Sequence, residues 1–160
     1  MMDSTQYDEM ALDAEEQDLL WSSKGMAVLG LIEHERQVLL AATHMPGSGI
    51  WWQLPGGTAT LGETLPQSLR RQLLDDAGLD VTVEDLLYVM EIESYMIFTF
   101  KARLNKSDAL SAATVDCCFV SRDQLPSFPR LWGREPLLEW LNQQGKGKRY
   151  YSLAQKPLQQ

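Results

Sequence analysis

The chain has 160 residues, 44% hydrophobic and 22% charged, which suits one ordinary domain with a single core and excludes wholesale disorder. No apolar run approaches the roughly 18 residues needed to cross a bilayer. The first residues, MMDSTQYDEM, carry acids where a secretory or mitochondrial signal needs bases, so the expected location is cytoplasmic. The net charge is −8, and residues 1–20 hold seven acids with no Lys or Arg, so the rest of the chain sums to −1. This balance argues against general binding to nucleic-acid phosphates. It leaves open a small phosphorylated ligand held through a metal, because a metal site needs acids.

Residues 1–21 read as a solvated acidic arm. Gly25–Glu33 is a continuous apolar run, the pattern of a strand buried on both faces. His34-Glu35-Arg36 breaks it, and Gln37–Thr43 follows as the second strand of a hairpin. MPGSG is a loop by composition. Trp51 and Trp52 then alternate across a strand, so one points to each side. One is expected in the core and the other against a ligand.

Glu63–Ala77 is helical in pattern, with Leu65, Leu69, Leu73 and Ala77 making an apolar stripe. Thr64 suits the N-cap, Pro66 the first turn, and Gly78 a left-handed C-terminus. Asp80–Glu93 and Tyr95–Leu104 read as strands around a turn near Ser94. Asn105–Ala113 is a polar loop, Thr114–Val120 a strand, and Gly133–Gln144 a terminal helix whose apolar surface would permit a homodimer. The adjacent pair Cys117-Cys118 cannot form a disulfide framework or a CxxC metal site, and packs as small hydrophobes. Residues 145–160 read as an untethered basic tail. This order gives an α/β (α+β) domain over residues 22–144 with helices on a mixed sheet.

The chemistry concentrates in Gly56–Leu79, GGTATLGETLPQSLRRQLLDDAGL. Gln72, Asp75 and Asp76 share a helix face beside the leucine stripe, so the acids can line a groove while the leucines meet the sheet. Glu63 lies at the other end of the loop–helix unit, near Arg70 and Arg71. Oxygen-rich groups of this kind suit a hard cation such as Mg²⁺, and the Gly-Gly turn lets backbone approach a ligand closely. Taken alone, two aspartates and two arginines on a helix read first as a solvated face.

The spacing of the whole unit resembles the Nudix box: Gly57, five residues, Glu63, seven residues, Arg71, then Leu73, Gly78 and Leu79 in register. WWQLPGG resembles the lead-in of the same family. The resemblance implies a Nudix-type α/β/α sandwich and a hydrolase that cleaves the diphosphate linkage of a nucleoside diphosphate derivative or a nucleoside triphosphate with Mg²⁺ or Mn²⁺. It implies catalytic roles for Glu63, Arg71, Asp75 and Asp76, and metal binding by Gly57, Gln72, Asp75 and Asp76; the candidates for ligand contact, read from the strand and the Gly-Gly turn, are one of Trp51 and Trp52 together with Gly56 and Gly57. Arg71 would orient Glu63 through an ion pair. Glu63, Asp75 and Asp76 are expected to converge on the cation.

Three positions depart from the box. Gln72 stands where the family has Glu, and Asp75-Asp76 where it has Glu-Glu. Gln72 offers a carbonyl oxygen without charge, and each aspartate is shorter by about 1.5 Å. Mg²⁺ tolerates little deviation from octahedral geometry. The expectation is weaker metal affinity, a single metal, or metal carried in by the substrate. The alternative is a Nudix-fold protein that binds a phosphorylated ligand without hydrolysing it. Candidate bases outside the box are Glu91, Glu93 and Asp108. Tyr95, Met96 and Phe98 are read mainly as core.

Overall fold

The computed structural model describes residues 25–106, 116–144 and 146–153. The acidic arm, most of the 105–113 loop with Asp108, and Thr114 lie outside the described residues. Strands β1 (Gly25–His34), β2 (Gln37–Met45), β3 (Gly49–Gln53) and β4 (Gly56–Thr58) precede helix α1 (Leu65–Ala77). Strands β5 (Val81–Glu91), β6 (Tyr95–Leu104) and β7 (Cys117–Ser121) follow, then a 3-10 turn (Arg122–Ser127), helix α2 (Arg134–Gln143) and β8 (Tyr150–Ser152).

The strands form one mixed sheet in the order β3-β2-β1-β6-β5-β8, with β4 on β1 and β7 on β2. β1 is the axis. It runs parallel to β6 from Gly25↔Tyr95 to Ile32↔Ala102. On its other edge only Glu33 and His34 pair with β2, and Ala27–Leu29 pair with β4. β2 thus parts from β1 just after the hairpin, and β4 fills the gap. Glu35 and Arg36 make that tight turn with φ of 52° and 64°.

Side chains of β1 alternate between two cores. Val28 and Ile32 meet Leu69, Leu73 and Ala77 of α1, while Leu29 and Leu31 join Ile97, Trp132, Leu137 and Leu141 on the α2 side. This is the expected sandwich, with the leucine stripe of α1 buried against the sheet. Thr64 caps α1 and accepts from the Gln67 amide, and Gly78 closes it at φ 68°. Cys117 and Cys118 divide between the two cores, and burial pushes both thiol pKa values up.

Two strands were not expected, nor was the 3-10 turn at Arg122–Ser127. β4 forms because Gly56, at φ 153°, lies so close to the Val28 carbonyl that no Cβ fits there. Two glycines and a threonine give no apolar alternation to read. The second strand is β8, which corrects the reading of an untethered tail for residues 150–152; residues 145 and 154–160 of that tail lie outside the described residues. Tyr150–Ser152 pair in parallel with Val89–Glu91, and Tyr151 is buried edge-on to Tyr88, ring centroids 5.9 Å apart. Burial of this aromatic ring fixes a segment whose charges suggested solvation. Among the described residues, no helix is long and apolar enough to cross a membrane.

Candidate active site

The loop from Gly56 to Thr64 lies along one face of α1 and is fastened to it at several points. Arg71 Nε donates to both Glu63 carboxylate oxygens, at 3.0 and 3.1 Å. Arg71 Nη2 donates to Thr60 Oγ1 at 2.6 Å, and its Nη1 stands 3.6 Å from Asp75 Oδ2. The Thr60 amide donates to the buried Ser68 Oγ at 3.0 Å. The bond to Glu63 pushes the Arg71 pKa up, so the guanidinium stays charged. Gln72, 8% exposed, donates from Nε2 to the Thr58 carbonyl, and its Oε1 lies against Gly57.

Two clefts flank the Gly56–Gly57 strand. One, of about 100 Å³, lies between α1 and β2 and is lined by Ala41–Thr43, Gln53, Gly56, Gln72 and Asp76 among others. Asp76 is its one charged side chain among the described residues. The other, of about 160 Å³, lies on the α2 face between Ala27, Leu29, Tyr95, Ile97 and Trp132, with Gly57 and Thr58 at its edge. It has no charged side chain among the described residues. Gln53 borders both clefts.

The convergence of Glu63, Asp75 and Asp76 expected from the sequence is not what the structure has. Glu63 and Asp75 both turn to Arg71, while Asp76, about 100° further round the helix, lines the α1 cleft. The pull of an arginine four residues before Asp75 accounts for the split. Among the described residues, no three His, Cys, Asp or Glu side chains group to hold a metal ion. The polar side chains lining the α1 cleft nevertheless all bear oxygen: the Asp76 carboxylate and the neutral Thr43, Gln53 and Gln72. Mg²⁺ is commonly held by one or two carboxylates plus substrate phosphate and water. This donor set fits one cation shared with a phosphorylated ligand, not a preformed cage.

Trp51 and Trp52 line neither cleft. Trp52 packs edge-on against Phe128, and the Arg130 guanidinium lies 5.4 Å over the Trp51 ring. Of the three aromatic-strand candidates, Tyr95 faces the second cleft, whereas Phe98 packs on the α1 core and Met96 lines neither cleft. Glu91 accepts from the Tyr150 hydroxyl, on the β5–β8 side of the sheet, and Glu93 is exposed beyond the end of β5. The sequence reading missed Thr60, Ser68, Gln53 and Trp132. Thr60 and Ser68 had a faint signal as polar positions inside the box. Trp132 had none, since its place depends on pairing with Trp52.

A NUDIX domain model matches residues 23–141, and the chain belongs to the Nudix family. It is 31% identical over 103 residues to the human protein named 8-oxo-dGDP phosphatase NUDT18, covering 61% of this chain. The matched stretch is 32% of that relative, so this chain corresponds to about a third of its length. A NUDIX hydrolase from Nitrosomonas europaea superposes with a TM-score of 0.66 at 20% identity, over 84% of this chain and 81% of that one. The ORF135 protein of E. coli gives 0.60 at 23% identity, over 77% and 93%. At these identities the structural likeness is one of fold.

Proposed function

We propose that this Nudix protein hydrolyses the diphosphate linkage of a nucleoside diphosphate derivative or a nucleoside triphosphate, with Mg²⁺ or Mn²⁺ bound alongside the ligand. The observation that carries the reading is the pair of clefts meeting at Gly56–Gly57, one holding the Asp76 carboxylate and the Gln72 amide, the other the Tyr95 and Trp132 rings. A nucleotide is a ligand of the same two halves. Its base suits the Tyr95–Trp132 cleft, where burial and ring contacts favour a flat apolar group. Its phosphates suit the cleft of Gln72 and Asp76. The relative named for 8-oxo-dGDP acts within this substrate class.

Asp76 would repel a phosphate, so a cation between the two is needed to turn repulsion into attraction. The residues that would hold it are Asp76, Gln72 through Oε1 and the Gly57 backbone, with Asp75 next to them on the helix. When bound, the cation neutralises phosphate oxygens and lowers the pKa of coordinated water. The chain's own residues supply the rest. Arg71 holds Glu63 and thereby the loop that carries the Gly-Gly strand. Asp76, the carboxylate not engaged by Arg71, is the group placed to take a proton from water in the cleft. Gly56 and Gly57 let backbone lie against the ligand where any side chain would intervene.

A second reading, binding without hydrolysis, is favoured by the neutral Gln72 and by the engagement of Glu63 and Asp75 with Arg71. Nucleoside diphosphate sugars, ADP-ribose, dinucleotides and nucleoside triphosphates, each assayed with Mg²⁺ and with Mn²⁺, separate the two. Turnover of one of them is expected. Saturable binding with no product from any would transfer the assignment to the second reading, and no binding at all would remove both.

A further inference from the structure

The residue that most weakens the family resemblance has a task of its own here. A carboxylate at position 72 would face the Thr58 carbonyl from a nearly buried position, oxygen against oxygen. That arrangement is relieved only by a cation or a proton between the two. Gln72 brings its own donor. Its Nε2 bonds the Thr58 carbonyl directly and joins β4 to α1 with nothing in between. The same helix face holds the loop at Thr60 through Ser68 and Arg71, and at Glu63 through Arg71. All of these contacts are made by protein groups alone.

The remaining charges point the same way. Arg71 has drawn off Glu63 and Asp75, and its positive charge beside them opposes an approaching cation. Asp76 is the one carboxylate left in the cleft among the described residues. One carboxylate and neutral oxygens hold Mg²⁺ weakly, and phosphate oxygens must complete its shell.

We propose that Gln72 fastens the Gly56–Thr58 strand to α1 in place of a cation, and that the cation therefore enters this site only together with its phosphorylated ligand. Gln72 is thus a positioning residue. The second half of the proposal rests on the function proposed above; the first half does not.

The test uses the full chain and two readouts other than turnover: thermal unfolding, and Mn²⁺ retained by the protein in equilibrium dialysis, with inorganic pyrophosphate as the phosphate probe. The wild-type chain is expected to have the same Tm in EDTA and in Mn²⁺, and to retain at least about tenfold more Mn²⁺ at equal free metal once pyrophosphate is present. Gln72→Glu is expected to lower Tm in EDTA by roughly 5 °C and to regain it with Mn²⁺ alone. Gln72→Met, which loses the donor without adding charge, is expected to lose Tm and regain nothing from Mn²⁺. It also serves if Gln72→Glu does not fold. A Gln72→Met chain as stable as wild type in EDTA overturns the fastening role. Tight retention of Mn²⁺ alone by the wild type overturns the order of entry. If pyrophosphate adds no retained Mn²⁺ while both variants behave as expected, the fastening stands, and the order of entry falls with the functional reading.

Discussion

The two clefts beside Gly56–Gly57 differ in what they set beside their apolar walls: a carboxylate and an amide in one, aromatic rings in the other. The one on α1 sets Gln72 and Asp76, from a single helix face, against Ala41–Thr43 of β2 and the Gln53–Gly56 segment, and Gln72 also bonds the Thr58 carbonyl. The one on the α2 face is assembled from β1, β6 and the approach to α2, and its walls are packed hydrocarbon and aromatic rings. The first depends on directional contacts that one substitution can undo. The second depends on the sum of many contacts, so it is reshaped by volume rather than by charge. A ligand spanning both would be oriented by one end and identified by the other.

The largest effect is expected at Arg71. Arg71→Glu removes the donor to Glu63 and Thr60 and adds a third carboxylate to that corner. Turnover should fall by about 100-fold or more, in line with a catalytic loop displaced by an ångström. Measured kcat/KM near the wild-type value would place the chemistry in another groove.

Filling the apolar cleft tests the other half. Ala27→Phe projects a ring between Tyr95 and Trp132. Affinity for a nucleotide ligand should drop about tenfold, the effect of one lost hydrophobic pocket contact, while inorganic pyrophosphate should bind as before. Equal weakening of both ligands would mean that the two clefts do not divide the ligand as proposed.

Asp76→Asn leaves the α1 cleft without a charged group. Binding of a metal–pyrophosphate complex should weaken by about tenfold, which isothermal titration would measure. Because Asp76 is exposed, the stability should move by no more than the roughly 0.5 kcal/mol usual for surface changes. Unchanged affinity would exclude Asp76 as the link to the cation.

The smallest effect concerns pH. Burial raises the pKa of Cys117, Cys118 and Tyr88 in the folded chain, so the fold keeps protons that the unfolded chain releases. These groups therefore leave stability unchanged below about pH 8 and reduce it slightly as pH rises past 8.5, where an unfolded thiol ionises. Urea unfolding at pH 7.5 and 9.5 should show that fall; a gain in the alkaline sample would contradict the assigned burial.

Much of this was legible in the residues. The leucine stripe, Thr64 and Gly78 marked out α1 and its caps, because these features lie within a few helical turns and follow from local periodicity, while the Glu63–Arg71 contact was legible only through the resemblance to the Nudix box. The apolar run from Gly25 likewise announced the central strand. The partition of the carboxylates did not follow. Spacing places Asp75 and Asp76 on a shared face, but which of them an arginine captures depends on side-chain reach in three dimensions. Trp51 and Trp52 misled for a related reason: an aromatic residue next to a motif can serve the ligand or the core, and its environment here comes from Phe128 and Arg130, nearly eighty residues later.

Alone, the sequence determined the family, the loop–helix unit and the oxygen-bearing residues at its centre, since each depends on contacts between near neighbours. Tertiary structure alone decided that Gln72 bonds Thr58, that Tyr151 closes the sheet edge, and that Tyr95 and Trp132 make a second cleft. Those contacts join segments far apart in the chain, and they exist only where β2 parts from β1 and the two cores form on opposite faces of the sheet.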